Sequence, residues 1–234
     1  MTICRVCGKD PCERLIFYNK QLDLYRVACE IGAVICPQCD SEGYVNPFHK
    51  PCPLCDSSGE VTPLVNGRYR LKQSYKPEKI KVLFVGESPP QKDQYFYDAN
   101  SNLFRCIQKA FQDSVDPDCG GGIKFLEYFK KAGCFLDDLC SLPVNGMTTP
   151  EENRKRNQLQ DEGISYLREK IALMHPAAVI IIMKRIKEKV KTACDKVVPK
   201  PQIDCIPFPS NGWQTKSCSE LSGILKFYKA NGIV

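Results

Sequence analysis

Two kinds of pattern in this sequence have the residue types and spacing that chemistry requires. The first is a pair of near-copies, Cys36-Pro37-Gln38-Cys39-Asp40-Ser41-Glu42-Gly43 and Cys52-Pro53-Leu54-Cys55-Asp56-Ser57-Ser58-Gly59. A C-x-x-C turn places two thiolates on one metal ion, and two such turns complete a tetrahedral shell with no open position. Cys36, Cys39, Cys52 and Cys55 therefore read as ligands of a structural zinc ion. The glycine that follows each pair lets the chain turn away from the metal. Cys4 and Cys7 form a third pair. A second zinc there would take its other ligands from Cys12, Cys29 or His49, and spacing does not choose among them. Unmetallated thiols are the plain alternative. The second pattern is a pair of unusual loops, Gly86-Glu87-Ser88-Pro89-Pro90 and Phe208-Pro209-Ser210-Asn211-Gly212-Trp213, each directly after an apolar run.

The elements around those loops predict how they are positioned. Residues 79–85, Lys-Ile-Lys-Val-Leu-Phe-Val, read as a buried strand that stops at Gly86. Residues 102–111 fit a helix with Leu103, Phe104, Ile107 and Phe111 on one face, and residues 125–132 fit another. A short strand is expected at 135–139, a long amphipathic helix at 157–174, strands at 178–183 and 203–207, and a closing helix at 217–230. Strands alternating with helices predict an α/β fold, a three-layer, mainly parallel sheet covered by helices on both faces. Ligands of such sheets sit at the C-terminal ends of the strands, where both unusual loops fall. The expected organisation is a cysteine-rich zinc-binding module over 1–62, a polar, proline-flanked connector over 63–77, and the main domain over 78–234.

Composition bounds the function classes. With 234 residues, 43% hydrophobic and 26% charged, the chain reads as an ordinary globular protein. Its longest apolar run, Ala177 to Met183, has the length of a buried strand and not of a membrane span. The first residues, Met1-Thr2-Ile3-Cys4-Arg5, lack the apolar core of a secretory signal, so a cytoplasmic location is expected. The 15 cysteines are an odd number: eight lie within the first 55 residues, mostly paired, and seven are scattered singly through apolar surroundings. That distribution reads as metal ligands plus small core residues, not as a disulfide scaffold. Residues 1–70 carry eight Lys/Arg and eight Asp/Glu, so the net charge of +6 belongs to the remainder. A polyanionic partner is compatible with that excess and not required by it.

The motifs also carry resemblances. The cysteine module resembles half of a DnaJ-type zinc finger, although Ser41 and Ser57 replace the first glycine of that repeat. In the main domain, Val85-Gly86-Glu87-Ser88-Pro89-Pro90 resembles the first active-site motif of the uracil-DNA glycosylase superfamily, close to the G-E-A-P-G form of its iron–sulfur branch. Pro207-Phe208-Pro209-Ser210 resembles the second motif, H-P-S or N-P-S. Residues 97–104, Tyr-Asp-Ala-Asn-Ser-Asn-Leu-Phe, resemble the asparagine-plus-aromatic segment of the mismatch-specific branch. Leu136-Asp137-Asp138-Leu139 and His175-Pro176, leading into the strand that ends near Lys184, follow that branch's order.

The resemblance implies a DNA glycosylase-like enzyme that hydrolyses the N-glycosidic bond of a damaged, deaminated or modified base. Such an enzyme extrudes a nucleotide and passes through an oxocarbenium-like transition state. Glu87 then positions or polarises water, with Ser88 a second polar group in the catalytic loop. Gly86 and Pro89, in the same loop, are expected to contact the base or the DNA. Phe96 or Tyr97 stacks on the flipped base, Asn102 reads its edge, and Asp138 is a further polar contact. Lys184, Phe208, Ser210, Asn211 and Trp213 face DNA, with Trp213 as a wedge between bases. Phe208 departs from the pattern, because it stands where histidine or asparagine would hydrogen-bond the leaving base. Structural readings stand beside these: Glu87 capping a helix or pairing with a lysine, Phe96, Tyr97 and Trp213 in the core, and Asp138 as scaffold. An iron–sulfur cluster on Cys4, Cys7 and a main-domain cysteine such as Cys140 is the lesser alternative to zinc. The other functional readings are a catalytically inactive DNA-binding protein with this fold, and an adaptor docking a protein partner through the zinc module. No membrane partner is expected.

Overall fold

Residues 34–35, 44–45, 50–51, 60–61, 63–91 and 94–234 are described by the computed structural model, in which the chain divides into two compact units, Met1–Ser74 and Tyr75–Val234. In the first unit, β1 (Val34–Ile35) pairs antiparallel with β4 (Glu60–Val61), and β2 (Tyr44–Val45) with β3 (Lys50–Pro51). Cys4, Cys7, Cys12, Cys29, Cys36, Cys39, His49, Cys52 and Cys55 lie outside the described residues, and with them the zinc reading. The stretch expected as a connector holds a helix, α1 (Pro63–Ser74). Pro63 lacks an N–H that the first turn has no use for, and the Arg, Leu, Lys and Gln residues that follow are good helix formers.

The second unit is built on one four-stranded sheet. β5 (Val82–Gly86), β6 (Cys134–Asp138), β7 (Ala178–Ile182) and β8 (Gln202–Ile206) lie in the order β6-β5-β7-β8, with every pair parallel. β5 and β7 are buried at every position, as strands covered on both faces must be, so they read as continuous apolar runs. β8 is an edge strand and keeps the polar Gln202 and Asp204. The Tyr228 hydroxyl donates to Asp204 Oδ2 at 2.7 Å, which gives the buried phenol its partner.

Helices α2 (Asn102–Ser114) and α3 (Ile123–Lys131) link β5 to β6, α4 (Pro150–Met174) links β6 to β7, and α5 (Lys187–Cys194) links β7 to β8. α6 (Gln214–Ala230) follows β8. α2 packs along α6, and α4 along α5. Right-handed crossovers that reverse direction after β6 put the α2/α3 layer and the α4/α5 layer on opposite faces. The first layer meets the sheet through an aromatic core, with Phe129 centred 5.3 Å from Phe84 and 5.4 Å from Phe96.

The expected α/β architecture is present, with two differences of extent. α4 begins at Pro150 and not at residue 157. Thr149 caps it: Glu152 N donates to Thr149 Oγ1 at 3.2 Å, and Thr149 N donates to Glu152 Oε2 at 2.9 Å. These early turns are charged and exposed, so apolar periodicity does not reveal them. α5 was not expected at all, because it is short and buries only Val190, Ala193 and Cys194.

Candidate active site

The chain runs from β5 to β6 on one side of the sheet and then crosses to β7 on the other, so the strand order reverses between β5 and β7. The crevice beyond the C-terminal ends at such a point is where open α/β sheets bind ligands. Both unusual loops leave the sheet at that edge.

Gly86 is the last residue of β5 and stands opposite Asp138 of β6. A methyl group on Gly86 would meet the tip of the Asp138 carboxylate, so that carboxylate packs against the bare Cα of Gly86 and would have to shift for any larger residue. Pairing continues past the strands: Leu139 N donates to Gly86 O at 2.9 Å and Cys140 N to Glu87 O at 2.8 Å. This fixes the Glu87 backbone and turns its side chain into the protein, where it is only 6% exposed. Arg156 Nε and Gln160 Nε2 donate to Glu87 Oε1 at 2.7 and 2.6 Å, and Arg156 Nη2 donates to Oε2. The two donors are one turn apart on α4 and share a face. Three of the roughly four acceptor sites of the carboxylate are thereby used, and the remaining one is on Oε2. The next buried neighbour, the Cys140 thiol, is pushed up to about 12 by burial and by the negative charges of Glu87 and Asp138. It stays protonated at neutral pH and is not a nucleophile there.

Arg156 and Gln160 were missed in the sequence. Arg156 ends the run Glu151-Glu152-Asn153-Arg154-Lys155-Arg156, which reads as a solvated surface, and Gln160 follows in the polar stretch Asn157-Gln158-Leu159-Gln160. The one available signal is the capping box, which moves the helix start back and puts Arg156 and Gln160 on the stripe that includes the buried Gly163 and Leu167.

The other expected site residues separate into three groups. Ser88 is half-buried, and its Oγ accepts from Val144 N at 3.1 Å, so it ties the β5 loop to the loop after β6. Pro89 is half-buried beside it. Asp138 lies at the end of β6, with its N–H donating to Asp137 Oδ1 at 2.9 Å, while Asp137 is paired with Lys170 at 2.8 Å. Gly86, Glu87, Ser88 and Asp138 are thus brought together.

Phe96 and Tyr97 belong to a 3-10 turn (Phe96–Asp98) and are 3% and 2% exposed. Tyr97 stacks on Tyr75 at 5.8 Å, and Phe96 packs against Phe104 and Phe129. The Tyr97 hydroxyl donates to Leu136 O at 2.8 Å and accepts from Leu136 N at 3.0 Å, which bolts the turn to β6. In this structure both rings are core, and neither presents an open face to a base. Burial raises the Tyr97 phenol well above its ordinary value. Tyr97→Phe leaves one buried N–H and one buried carbonyl without that partner. It should cost about 1–3 kcal/mol, read as a lower urea midpoint at unchanged slope. Asn102 opens α2, and its Oδ1 accepts from Arg105 Nη2 at 2.5 Å.

The third group lies beyond β7 and β8. Pro207 and Pro209 are buried and anchor the second loop, while Phe208 is 38% and Trp213 46% exposed. Ser210 and Asn211 are exposed between them. Ser210 N donates to Phe208 O at 2.8 Å and Trp213 N to Ser210 O at 2.9 Å, with Gly212 at φ +80° closing the turn. The core reading of Trp213 does not hold: its ring is open, with Lys216 Nζ 5.2 Å from its centroid. Lys184 and Arg185, just past β7, are exposed. The edge therefore has a buried, clamped carboxylate on one side and exposed aromatic and cationic side chains on the other.

Among the described residues no group of three or more His, Cys, Asp or Glu side chains is placed to hold a metal ion, and no helix is long and apolar enough to cross a membrane. No curated protein matches the chain. The family described as the Uracil DNA glycosylase superfamily matches residues 73–226, a span that takes in all four parallel strands and both loops. With the sheet, its switch point and the two motif loops in place, the chain belongs to the Uracil DNA glycosylase superfamily.

Proposed function

We propose that this protein is a DNA glycosylase-like hydrolase that releases a damaged, deaminated or modified base. The observation that carries the reading is the Glu87 carboxylate, fixed by Arg156 and Gln160 at the switch point of the sheet with one acceptor site left on Oε2. That site accepts a hydrogen bond from one water and aims its oxygen at C1′ of an extruded nucleotide. The glycosidic bond breaks with its electron pair leaving on the base, the negative carboxylate stabilises the oxocarbenium-like sugar, and the water adds to C1′ and gives up a proton to Glu87 Oε2, from which it passes through solvent to the departing base anion. Phe208 cannot donate a hydrogen bond to the departing base. Its exposed ring instead offers an apolar face to a base. Trp213 supplies the wedge that holds the stack open. Lys184, Arg185 and Lys216 meet phosphates. Cys36, Cys39, Cys52 and Cys55 have the donor set of a structural zinc site, and such a zinc supplies folding energy and takes no part in the reaction.

The test is base release from duplexes carrying uracil, hypoxanthine, mismatched thymine, or oxidised or bulky modified cytosine, read as strand scission after alkali. Release from at least one substrate is the expected result, and none from any would sink the enzyme reading. A second reading, DNA binding without chemistry, is favoured by the absent donor at Phe208. It predicts retained affinity and no abasic product. Under either reading Trp213→Ala, at an exposed position, should weaken duplex binding by about 1–3 kcal/mol if stacking is lost, measured by fluorescence anisotropy, with the melting temperature little changed.

A further inference from the structure

α2 and α6 lie side by side and run in the same direction. Lys229 Nζ donates to the Val115 carbonyl at 2.6 Å and joins their C-terminal ends, and the Cys106 thiol hydrogen-bonds Cys218 midway. Their N-terminal ends therefore lie together as well. α6 starts immediately after the Trp213 loop, so those ends open at the sheet edge that carries the proposed active site. Between the helices is a cavity of about 510 Å³, lined from Asn102 to Asp113 on α2 and from Gln214 to Lys226 on α6.

The lining mixes the apolar stems and polar ends of its side chains and carries excess positive charge. Arg105, Lys109 and Lys226 face one acid, Asp113, which pairs with Lys109 at 3.0 Å. Among the described residues the hydrogen bonds of Arg105 go to neutral oxygens, Asn100 O at 3.0 Å and Asn102 Oδ1 at 2.5 Å, which do not cancel its charge. Both helix starts add positive dipole ends at the mouth. From residue 102 to 113 a helix advances about 16 Å, the length of about four to five phosphates of one stacked strand. The cleft falls in the volume range of small-ligand sites, about 300–1,000 Å³, which is far too small for a duplex.

We infer that the groove between α2 and α6 holds the sugar–phosphate backbone of a single nucleic-acid strand, entering from the active-site edge at Asn102 and Gln214. The inference rests on the proposed DNA reading and adds a substrate preference to it: duplexes with a single-stranded flank bind better than blunt ones. The strand passes over Cys218, which is half-buried in the groove.

The experiment compares a blunt duplex with the same duplex carrying a single-stranded tail at either end, using the full chain. The tail should raise affinity about tenfold at low salt, and the gain should fade as salt rises. Lys109→Gln with Lys226→Gln, both exposed positions, should remove that gain and leave base release from the blunt duplex unchanged. Tailed DNA should slow alkylation of Cys218, read on its peptide by mass spectrometry, and leave Cys205 on β8 as reactive as with blunt DNA. Equal affinity for both duplexes, a tail gain that survives the double substitution, or no protection of Cys218 would each overturn the groove assignment. Base release from the blunt duplex reads the catalytic proposal separately, because neither lysine and neither thiol belongs to its machinery.

Discussion

Glu87→Gln is expected to lower the rate of base release by about 10²–10⁴-fold while duplex affinity stays near that of the wild type. The substitution keeps the volume of the side chain and removes its charge. An amide presents one acceptor oxygen and one donor nitrogen, and three of the neighbouring contacts are donors from Arg156 and Gln160. At most one end of the amide satisfies them, so the orientation of any bound water is lost along with the negative charge facing the sugar. Because the side chain is buried away from the exposed DNA-facing loop, the loss should fall on the single-turnover rate and not on substrate affinity. Full activity in this variant would remove Glu87 from the mechanism.

The second large effect is on stability. Glu87→Ala leaves the Arg156 guanidinium, whose side chain is 12% exposed, without its counter-charge. Breaking a buried ion pair on one side costs about 3–5 kcal/mol. Glu87→Leu combined with Arg156→Met removes both charges and should recover most of that loss, since the penalty comes from the unpaired charge and not from the missing attraction. Urea titrations of the single and double variants close the cycle. A cost below about 0.5 kcal/mol, the range of an exposed pair, would mean that water reaches the clamp. The same result warns that activity lost in Glu87→Ala is ambiguous, and because Glu87→Gln also leaves Arg156 without its counter-charge, its rate is read only on protein whose urea midpoint shows it folded under the assay conditions.

Much of the architecture was legible because β5 and β7 are uninterrupted apolar runs that end abruptly at Gly86 and Met183, and no other arrangement buries them as well as a parallel sheet covered on both sides. The two loops followed from the same logic, since one ends β5 and the other ends β8 at the edge where ligands bind. The clamp was not legible. Arg156 is a long-range partner, 69 residues from Glu87, and its sequence neighbours are solvated. Phe96 and Tyr97 show the converse limit: an aromatic pair next to an asparagine segment suits a base platform and a core turn equally. Only the Tyr97 hydroxyl on the Leu136 backbone, a tertiary contact, assigns them to the core here. α1 was obscured because polarity without apolar periodicity describes a loop and an exposed helix alike.

The most direct test of the glycosylase reading is base release under excess protein in water enriched with heavy oxygen, analysed by mass spectrometry of both products. N-glycosidic hydrolysis predicts a free base without the label, an unbroken strand, and one heavy oxygen on the abasic sugar. DNA that is bound throughout the substrate panel, yet yields no free base and no labelled sugar, would contradict it and leave a protein that grips DNA without cutting the base away.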